Sequence, residues 1–369
     1  MAPLLSKQPF HAIYIILFAI KSLAYMPWLI LRYGIKSTRP YPEWSLATCI
    51  VTAMTREIFR YQTATRSSGV ASVESSQNKA KERFRKVHPG PASLYVGPLT
   101  PGTTNLAAVG GLWYPQPPTE GASDERVVLH FVGGAFVLAL ATDSNGADVA
   151  NSMSKHMQAS RTFVAQYRVT TSSDSRFPAA LQDIVTFYNY VLETGVKPAN
   201  VIVSGDSAGG NLVLGLLRYL GTHPVLPKPG GAMVWSPWVN VTKTAGQDYY
   251  KSGNSKHDLL CGPLLQWGAD AYYPEEVRPS DDRVAYISPL HRPFRTTVPL
   301  WLHSGMAESL HDDIKQFADE MTAVEGNSIK LYSTKAAPHD LLLAHKPCGF
   351  TEQLGVAVDD ASAFFESRK

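Results

Sequence analysis

Six short runs rich in Val, Ile, Leu and aromatic residues recur along the chain, and most of the segments between them have a helical period. The runs are RVVLHFV at 126–132, RTFVAQYRV at 161–169, NVIVSG at 200–205, GAMVWS at 231–236, VPLWLHS at 298–304 and IKLYST at 329–334. Helical periodicity fills Leu181 to Glu193, Asn211 to Leu220 and Asp312 to Val324. Runs that are apolar at successive positions bury both faces, so the pattern implies a parallel sheet covered by helices on each side. The interval 240–297 is too long for a simple crossover. Its stretch SKHDLLCGPLLQWGADAYY predicts a helical excursion near the carboxyl ends of the strands, where such sheets bind ligands. A chain of 369 residues with 44% hydrophobic content can build one large α/β core and an accessory segment.

Charge and cysteine usage narrow the function classes. The net charge is +3 with dispersed lysines and arginines, so no basic stripe exists for nucleic acid. Cys49, Cys261 and Cys348 lie far apart, without C-x-x-C spacing or an even count, and are expected to be ordinary buried or half-buried thiols. The eleven histidines include no H-E-x-x-H and no paired metal ligands on a helix face.

The first forty residues hold Lys7, Lys21, Arg32, Lys36 and Arg39 and no acid. Residues 12–31, AIYIILFAIKSLAYMPWLIL, are almost wholly apolar and long enough to cross a bilayer. Lys21 at the centre costs roughly 2.5–3.5 kcal/mol, against roughly 0.3–0.6 kcal/mol returned by each of its Ile, Leu and Phe residues. Pro27 predicts a kink, and Tyr25 and Trp28 suit an interface. Three readings stand side by side: a membrane anchor, spanning or interfacial; a signal peptide cleaved near SLA at 22–24; and an apolar helix packed on the body. The expected location is membrane-associated, with the endoplasmic reticulum as one candidate. If the segment spans, the positive flank at Arg32, Lys36 and Arg39 predicts a cytosolic body. A single sequon, Asn240-Val241-Thr242, does not alter this. Further on, Leu46, Ile50, Met54 and Ile58 are four apart and predict an amphipathic helix over 44–65, with a mobile Ser-rich loop from Arg66 to about Lys81.

VIVSGDSAGGN at 201–211 carries the strongest chemical signal. It is G-x-S-x-G directly after a strand and before a helix, which places Ser207 on a tight turn above the sheet. Gly205 and Gly209 are required there because side chains would collide with neighbouring backbone. A serine hydroxyl needs a base, and in an α/β-hydrolase the order is Ser, acid, His. His339 in STKAAPHD follows the last strand, with His345 as rival. Glu308 in WLHSGMAESLHDD lies on the turn after the preceding strand, while Asp312 and Asp313 read as acids starting a helix.

On these residues the chain resembles the hormone-sensitive-lipase-like group of α/β-hydrolases, which includes bacterial esterases and arylacetamide deacetylases. The matching pieces are GDSAGGN at 205–211, YRVTTSSDSRFPAALQD at 167–183, SPWVN at 236–240, YISPL at 286–290 and PHD at 338–340. The resemblance covers roughly 95–365. It implies an α/β-hydrolase fold with a mostly parallel sheet flanked by helices, the triad Ser207, Glu308 and His339, and a helical cap over the site made by the helix around 44–65 and the 250–285 part of the excursion; the expected division is then 1–40 as the anchor segment, 41–85 as N-terminal cap helices and loop, and 86–369 as the catalytic domain with its excursion at about 241–297. Where the group has H-G-G-G before an aromatic residue, this chain has Val132-Gly133-Gly134-Ala135 before Phe136. By that alignment the oxyanion-hole loop comprises Gly133, Gly134 and Ala135, the donor amides being those of Gly134 and Ala135, joined by the amide of Ala208. Alanine keeps the N–H and loses only easy access to positive φ. Val132 cannot hydrogen-bond as the motif histidine would, and His130, on the same side of the strand, is a candidate substitute.

The expected activity is hydrolysis of carboxylic esters of small or medium, largely apolar substrates through an acyl-enzyme, with no cofactor or metal. Acyl transfer or thioester hydrolysis in natural-product biosynthesis would use the same residues. A non-catalytic ligand-binding protein on the same fold is the rival from another class, favoured by the altered VGGA loop and opposed by the intact triad.

Overall fold

The computed structural model describes residues 3–68, 80, 82–102, 104–119 and 122–368. Eight strands form one sheet in the order β1-β2-β4-β3-β5-β6-β7-β8. They are β1 (Phe84–Val87), β2 (Val109–Tyr114), β3 (Val127–Phe131), β4 (Arg161–Gln166), β5 (Val201–Asp206), β6 (Gly231–Trp235), β7 (Leu300–Gly305) and β8 (Ile329–Thr334). The six runs read from the sequence are β3 to β8, and they pair in parallel as expected. Every residue of β3, β5, β6 and β7 is buried, as a sheet covered on both faces requires.

Two strands were not anticipated. β1 and β2 pair antiparallel with each other, and β2 pairs antiparallel with β4. β1 straddles the expected start of the catalytic domain at residue 86, because its pairing with β2 makes it part of the sheet.

Eleven α-helices are described: α1 (Phe10–Gly34), α2 (Leu46–Thr65), α3 (Asp143–Met157), α4 (Ala179–Glu193), α5 (Ser207–Thr222), α6 (Ala245–Tyr249), α7 (Gly262–Tyr272), α8 (Val284–Ile287), α9 (His311–Thr322), α10 (Leu341–Cys348) and α11 (Thr351–Glu366). The excursion is α6 to α8. α3 packs with α11, and α4 packs with α5, which also meets α8. The run from Tyr167 to Asp183 ties the end of β4 to α4. Buried Asp183 accepts from Arg168 Nε at 3.0 Å, from Nη2 at 2.8 Å and from the Arg168 backbone N at 2.8 Å. Burial raises the Asp183 carboxyl to about 6 against the pull of Arg168.

α1 is one helix through Pro27, with only Leu29 and Tyr33 buried. α2 forms where the spacing placed it, capped by Ser45 Oγ accepting from Thr48 N at 3.0 Å. Its most covered side differs from the expected stripe: Cys49, Thr52, Ala53 and Glu57 are buried, while Ile58 is exposed. Between residues 41 and 83 it is the one α-helix among the described residues, where several were expected. The expected mobile loop falls largely on 69–79 and 81, outside the described residues.

The strand order reverses direction between β3 and β5: the chain moves outward to β4 from β3, and outward to β6, β7 and β8 from β5. Loops leaving the carboxyl ends of β3 and β5 diverge at such a point and open a crevice. The loop after β3 holds Gly133 to Ala135, and the turn after β5 holds Ser207.

Candidate active site

Ser207 is the first residue of α5 and has φ +50°, the strained strand-to-helix turn expected of an exposed nucleophile. Its neighbours leave no room for side chains. A Cβ on Gly205 would stand 2.5 Å from the Gly209 carbonyl oxygen, and one on Gly209 would stand 2.0 Å from that of Phe131. Trp238 N donates to Ser207 O at 3.0 Å, and Asn211 Nδ2 donates to Trp238 O at 2.8 Å and to Ile287 O at 2.9 Å. The SPWVN and YISPL segments thus brace the turn.

Ser207, Glu308 and His339 come together from three loops at the carboxyl ends of β5, β7 and β8. His339 Nε2 is 3.0 Å from Ser207 Oγ, and Nδ1 is 2.6 Å from Glu308 Oε2. The other Glu308 oxygen accepts from Gly305 N at 2.8 Å. Burial alone would lower the imidazole, but the Glu308 hydrogen bond and charge outweigh it, with Asp258 and Asp340 behind, and hold His339 up at about 9. The rivals are elsewhere. His345 Nδ1 is 3.1 Å from Thr351 Oγ1, Asp312 is exposed at the start of α9, and Asp313 accepts from Asn240 Nδ2 at 3.1 Å.

The loop after β3 is tied to the end of β5 at its first glycine. Gly133 N donates to Asp206 Oδ2 at 2.7 Å, so of the three loop residues Gly133, Gly134 and Ala135 this amide is committed to a side chain. Among the described residues, no acceptor is bonded to the amides of Gly134, Ala135 or Ala208. Gly134, Ala135 and Phe136 have φ of +130°, +50° and +63°, so Ala135 does occupy the region where glycine is easiest. Phe136 stacks on Tyr272 of α7 with ring centroids 3.8 Å apart, which fixes the far side of the loop. Val132 is buried in a small apolar cluster with Leu112, Tyr114 and Val164.

His130 supplies the polar anchoring that Val132 cannot, through an intermediary. It pairs across the sheet with Ser204, whose Oγ is 3.1 Å from Nδ1, and its Nε2 lies 3.1 Å from Asp206 Oδ1. Complete burial lowers His130 to about 4, so the ring is neutral and donates to Asp206 as a hydrogen bond rather than as an ion pair. Asp206 also bonds Asp340, the residue after His339. Burial raises both carboxyls, Asp206 to about 6 and Asp340 well above its ordinary value, and the facing Asp206 carboxyl adds to the rise of Asp340. Asp340 N in turn donates to Ser236 Oγ at 3.1 Å.

A cavity of about 400 Å³ opens beside Ser207 and His339. Val51 and Phe59 of α2, Leu259, Leu264 and Leu265 of the excursion, and Leu343 of α10 give it mostly apolar walls. Among the described residues, no cluster of His, Cys, Asp or Glu could hold a metal ion. All three cysteines are free and buried.

A family model described as alpha/beta hydrolase fold matches residues 128–343, more than half of the chain. The chain belongs to the alpha/beta hydrolase fold family. It is similar to an esterase of Acinetobacter venetianus, with 32% identity over 200 residues that cover 54% of this chain and 62% of that one. It is also similar to steryl acetyl hydrolase 1 of Saccharomyces cerevisiae, with 32% identity over 141 residues, 37% of this chain and 32% of that one. The matched region spans less than two thirds of either relative. The crystal structure of an esterase from the bacterial hormone-sensitive lipase family shares the fold, with a TM-score of 0.61, 20% identity, and coverage of 88% of this chain and 98% of that one. The resemblance read from the sequence motifs therefore stands.

Within this alpha/beta hydrolase, sequence reasoning missed Asp258. It lies wholly buried in the excursion, where its Oδ2 accepts from Ser309 N at 2.8 Å and Ser309 Oγ at 2.7 Å. Its Oδ1 accepts from Leu259 N at 2.7 Å and from His339 N at 3.4 Å. Asp258 thus ties the loop carrying Glu308 to the loop carrying His339. The one available signal was an acid directly before the apolar run LLCGPLL. Asn254 adds a second tie, donating to Met306 O at 3.0 Å and Glu308 O at 2.9 Å.

Proposed function

We propose that this chain is a serine esterase that cleaves carboxylic esters of small or medium, apolar substrates through Ser207, His339 and Glu308. The observation that carries the reading is the unbroken hydrogen-bonded line from Ser207 Oγ through both nitrogens of His339 to Glu308, at the wall of an apolar cavity. Ser207 Oγ attacks the carbonyl carbon as His339 Nε2 takes its proton, and the tetrahedral oxyanion is met by the amides of Gly134, Ala135 and Ala208. Collapse breaks the ester bond, and His339 returns the proton to the leaving alcohol. Water then attacks the acyl-enzyme while His339 accepts its proton, and Ser207 is regenerated. Glu308 stays ionised and stabilises the imidazolium. His130 and Asp206 hold the oxyanion loop through Gly133. The 241–297 excursion and α2 act as the cap that limits substrate size, and α1 associates the enzyme with a membrane, suiting lipophilic esters. The name of the yeast relative directs a first panel toward acetates of apolar alcohols.

The test is labelling of the full-length protein in mild detergent with a fluorophosphonate probe, beside Ser207→Ala and His339→Ala. Labelling lost in both variants, with turnover of 4-nitrophenyl esters from acetate to laurate, is the expected result. A folded wild-type protein that takes no label but binds ester would refute it and favour the ligand-binding reading. Product analysis with added alcohols separates hydrolysis from acyl transfer.

A further inference from the structure

Among the described residues, twelve of the sixteen exposed large hydrophobic side chains fall between Leu4 and Ile35. On α1 they include Ile13, Ile16, Ile20, Leu23 and Leu31, the last two each 75% exposed. The opposite side of the same helix is occupied. His11 Nε2 is 3.2 Å from Tyr61 Oη, Tyr14 stacks on Tyr61 at 5.7 Å, Phe18 meets the same ring at 4.7 Å, and Lys21 Nζ pairs with Glu57 at 2.5 Å. Leu29 and Tyr33 complete the stripe as buried residues. Positions 11, 14, 18, 21, 25, 29 and 33 recur at three and four residues, so they lie on one side of a 3.6-residue helix. Lys21 is therefore no charge within an apolar face. It belongs to the polar and aromatic edge that α1 presents to α2.

α2 is fastened to the body along its length. Trp44 Nε1, just before it, donates to Ala336 O at 2.6 Å, Thr48 Oγ1 to Cys348 O at 2.9 Å, and Arg56 Nε to Asp258 O at 2.6 Å. A helix crossing a bilayer while keeping these contacts would carry Arg56, Glu57 and Arg60 into the hydrocarbon. A helix lying flat would not. The ends of α1 agree with the flat arrangement, since exposed Lys7 precedes it and exposed Lys36 follows it, and no acid occurs in the first forty residues. Both ends then meet headgroups of one leaflet.

We infer that α1 lies in the plane of an anionic lipid surface, its Ile and Leu face in the bilayer and its Lys21 edge held by Glu57 of α2. α2 presents Val51, Thr55 and Phe59 to the cavity beside Ser207 and Tyr61 and Glu57 to α1, so one helix separates the lipid-facing element from the cavity. The inference deepens the membrane part of the proposed function and is independent of its chemistry.

Because the three native cysteines are buried, single exposed cysteines can report topology. Full-length Gln8→Cys and Ser37→Cys proteins are diluted from detergent onto preformed vesicles of phosphatidylcholine with phosphatidylglycerol. They are then floated and treated with a membrane-impermeant maleimide before and after detergent. Equal, complete labelling of both ends before detergent is expected, and Lys7→Gln with Lys36→Gln should lower vesicle partitioning by roughly thirtyfold at low salt. Protection of one end until detergent is added would overturn the inference in favour of a spanning helix. Protein that stays in the supernatant, or sediments beforehand as a stable dimer that blocks labelling, would overturn it as well. Turnover of a soluble acetate ester in the same fractions shows whether the esterase reading survives any of these outcomes.

Discussion

Replacing His130 by alanine tests whether the oxyanion loop depends on a side chain outside the triad. The wild-type ring is wholly buried and bonds Ser204 and Asp206 at 3.1 Å each. Removing it takes one donor from a buried carboxylate, which costs about 1.5–3 kcal/mol for a hydrogen bond to a charged group. The void left by the imidazole adds about 1–2 kcal/mol. The fold should thus lose about 2.5–5 kcal/mol, visible as a lower urea midpoint at unchanged slope. The second consequence is specific to the loop. Asp206 freed of His130 holds the Gly133 amide less firmly, and an oxyanion donor out of place costs about 10²–10³ in turnover. A fall in kcat of at least about tenfold with KM nearly unchanged is expected at a temperature where the variant is folded. His130→Gln, which keeps a donor and an acceptor, should recover much of that loss. Wild-type kcat in folded His130→Ala would refute the reasoning and leave His130 as packing alone.

Two further perturbations address the triad and its support. Glu308→Gln removes what holds His339 up at about 9, so the limb on which kcat/KM rises with pH should move to lower pH, while the rate falls by about 10³–10⁴; a limb that stays or moves upward in the pH profile would contradict the assignment of Glu308. Asp258→Asn replaces acceptor oxygens that face Ser309, Leu259 and His339 with an amide group that opposes N–H donors; a loss of about 2–4 kcal/mol in urea unfolding is expected, with reduced kcat, and an unchanged midpoint would show that Asp258 does not tie the two loops.

The sheet's parallel part was legible because β3 to β8 are continuous apolar runs, a pattern that both-face burial imposes on sequence. β2 was not, because its VGGLWY carries two glycines that weaken a strand signal. The structure supplies the reason for them: a Cβ on Gly110 would stand 2.8 Å from the Phe84 ring, and one on Gly111 would stand 2.4 Å from that of Phe163. Cross-strand rings fill the space that side chains would have used, and nothing local in the sequence announces which rings. The stripe on α2 was misplaced for a related reason. Periodicity locates the more apolar side of a helix, but α2 is covered by α1, by the cavity and by α10, and the side most enclosed is not the most apolar.

Ser207, Glu308 and His339 were readable because each must follow a strand in a fixed chain order. The residues that hold them were harder to read because their partners are distant in sequence: His130 reaches Asp206, and Asp206 reaches Gly133 and Asp340. Ser207 and His339 are each flanked in the chain by an acid, Asp206 before one and Asp340 after the other. Those acids are in side-chain contact with each other, so the turn carrying Ser207 and the loop carrying His339 are joined by a second contact besides the Ser207–His339 hydrogen bond. The oxyanion loop is fastened to the same carboxylate by Gly133. A loop that lacks the usual histidine at Val132 therefore needs no donor of its own at that position, because its register is set from beneath by Asp206 and the His130 behind it. A chain with Val132 in this place is expected to keep a polar partner at 130, since an apolar residue there would leave Asp206 buried with one donor fewer.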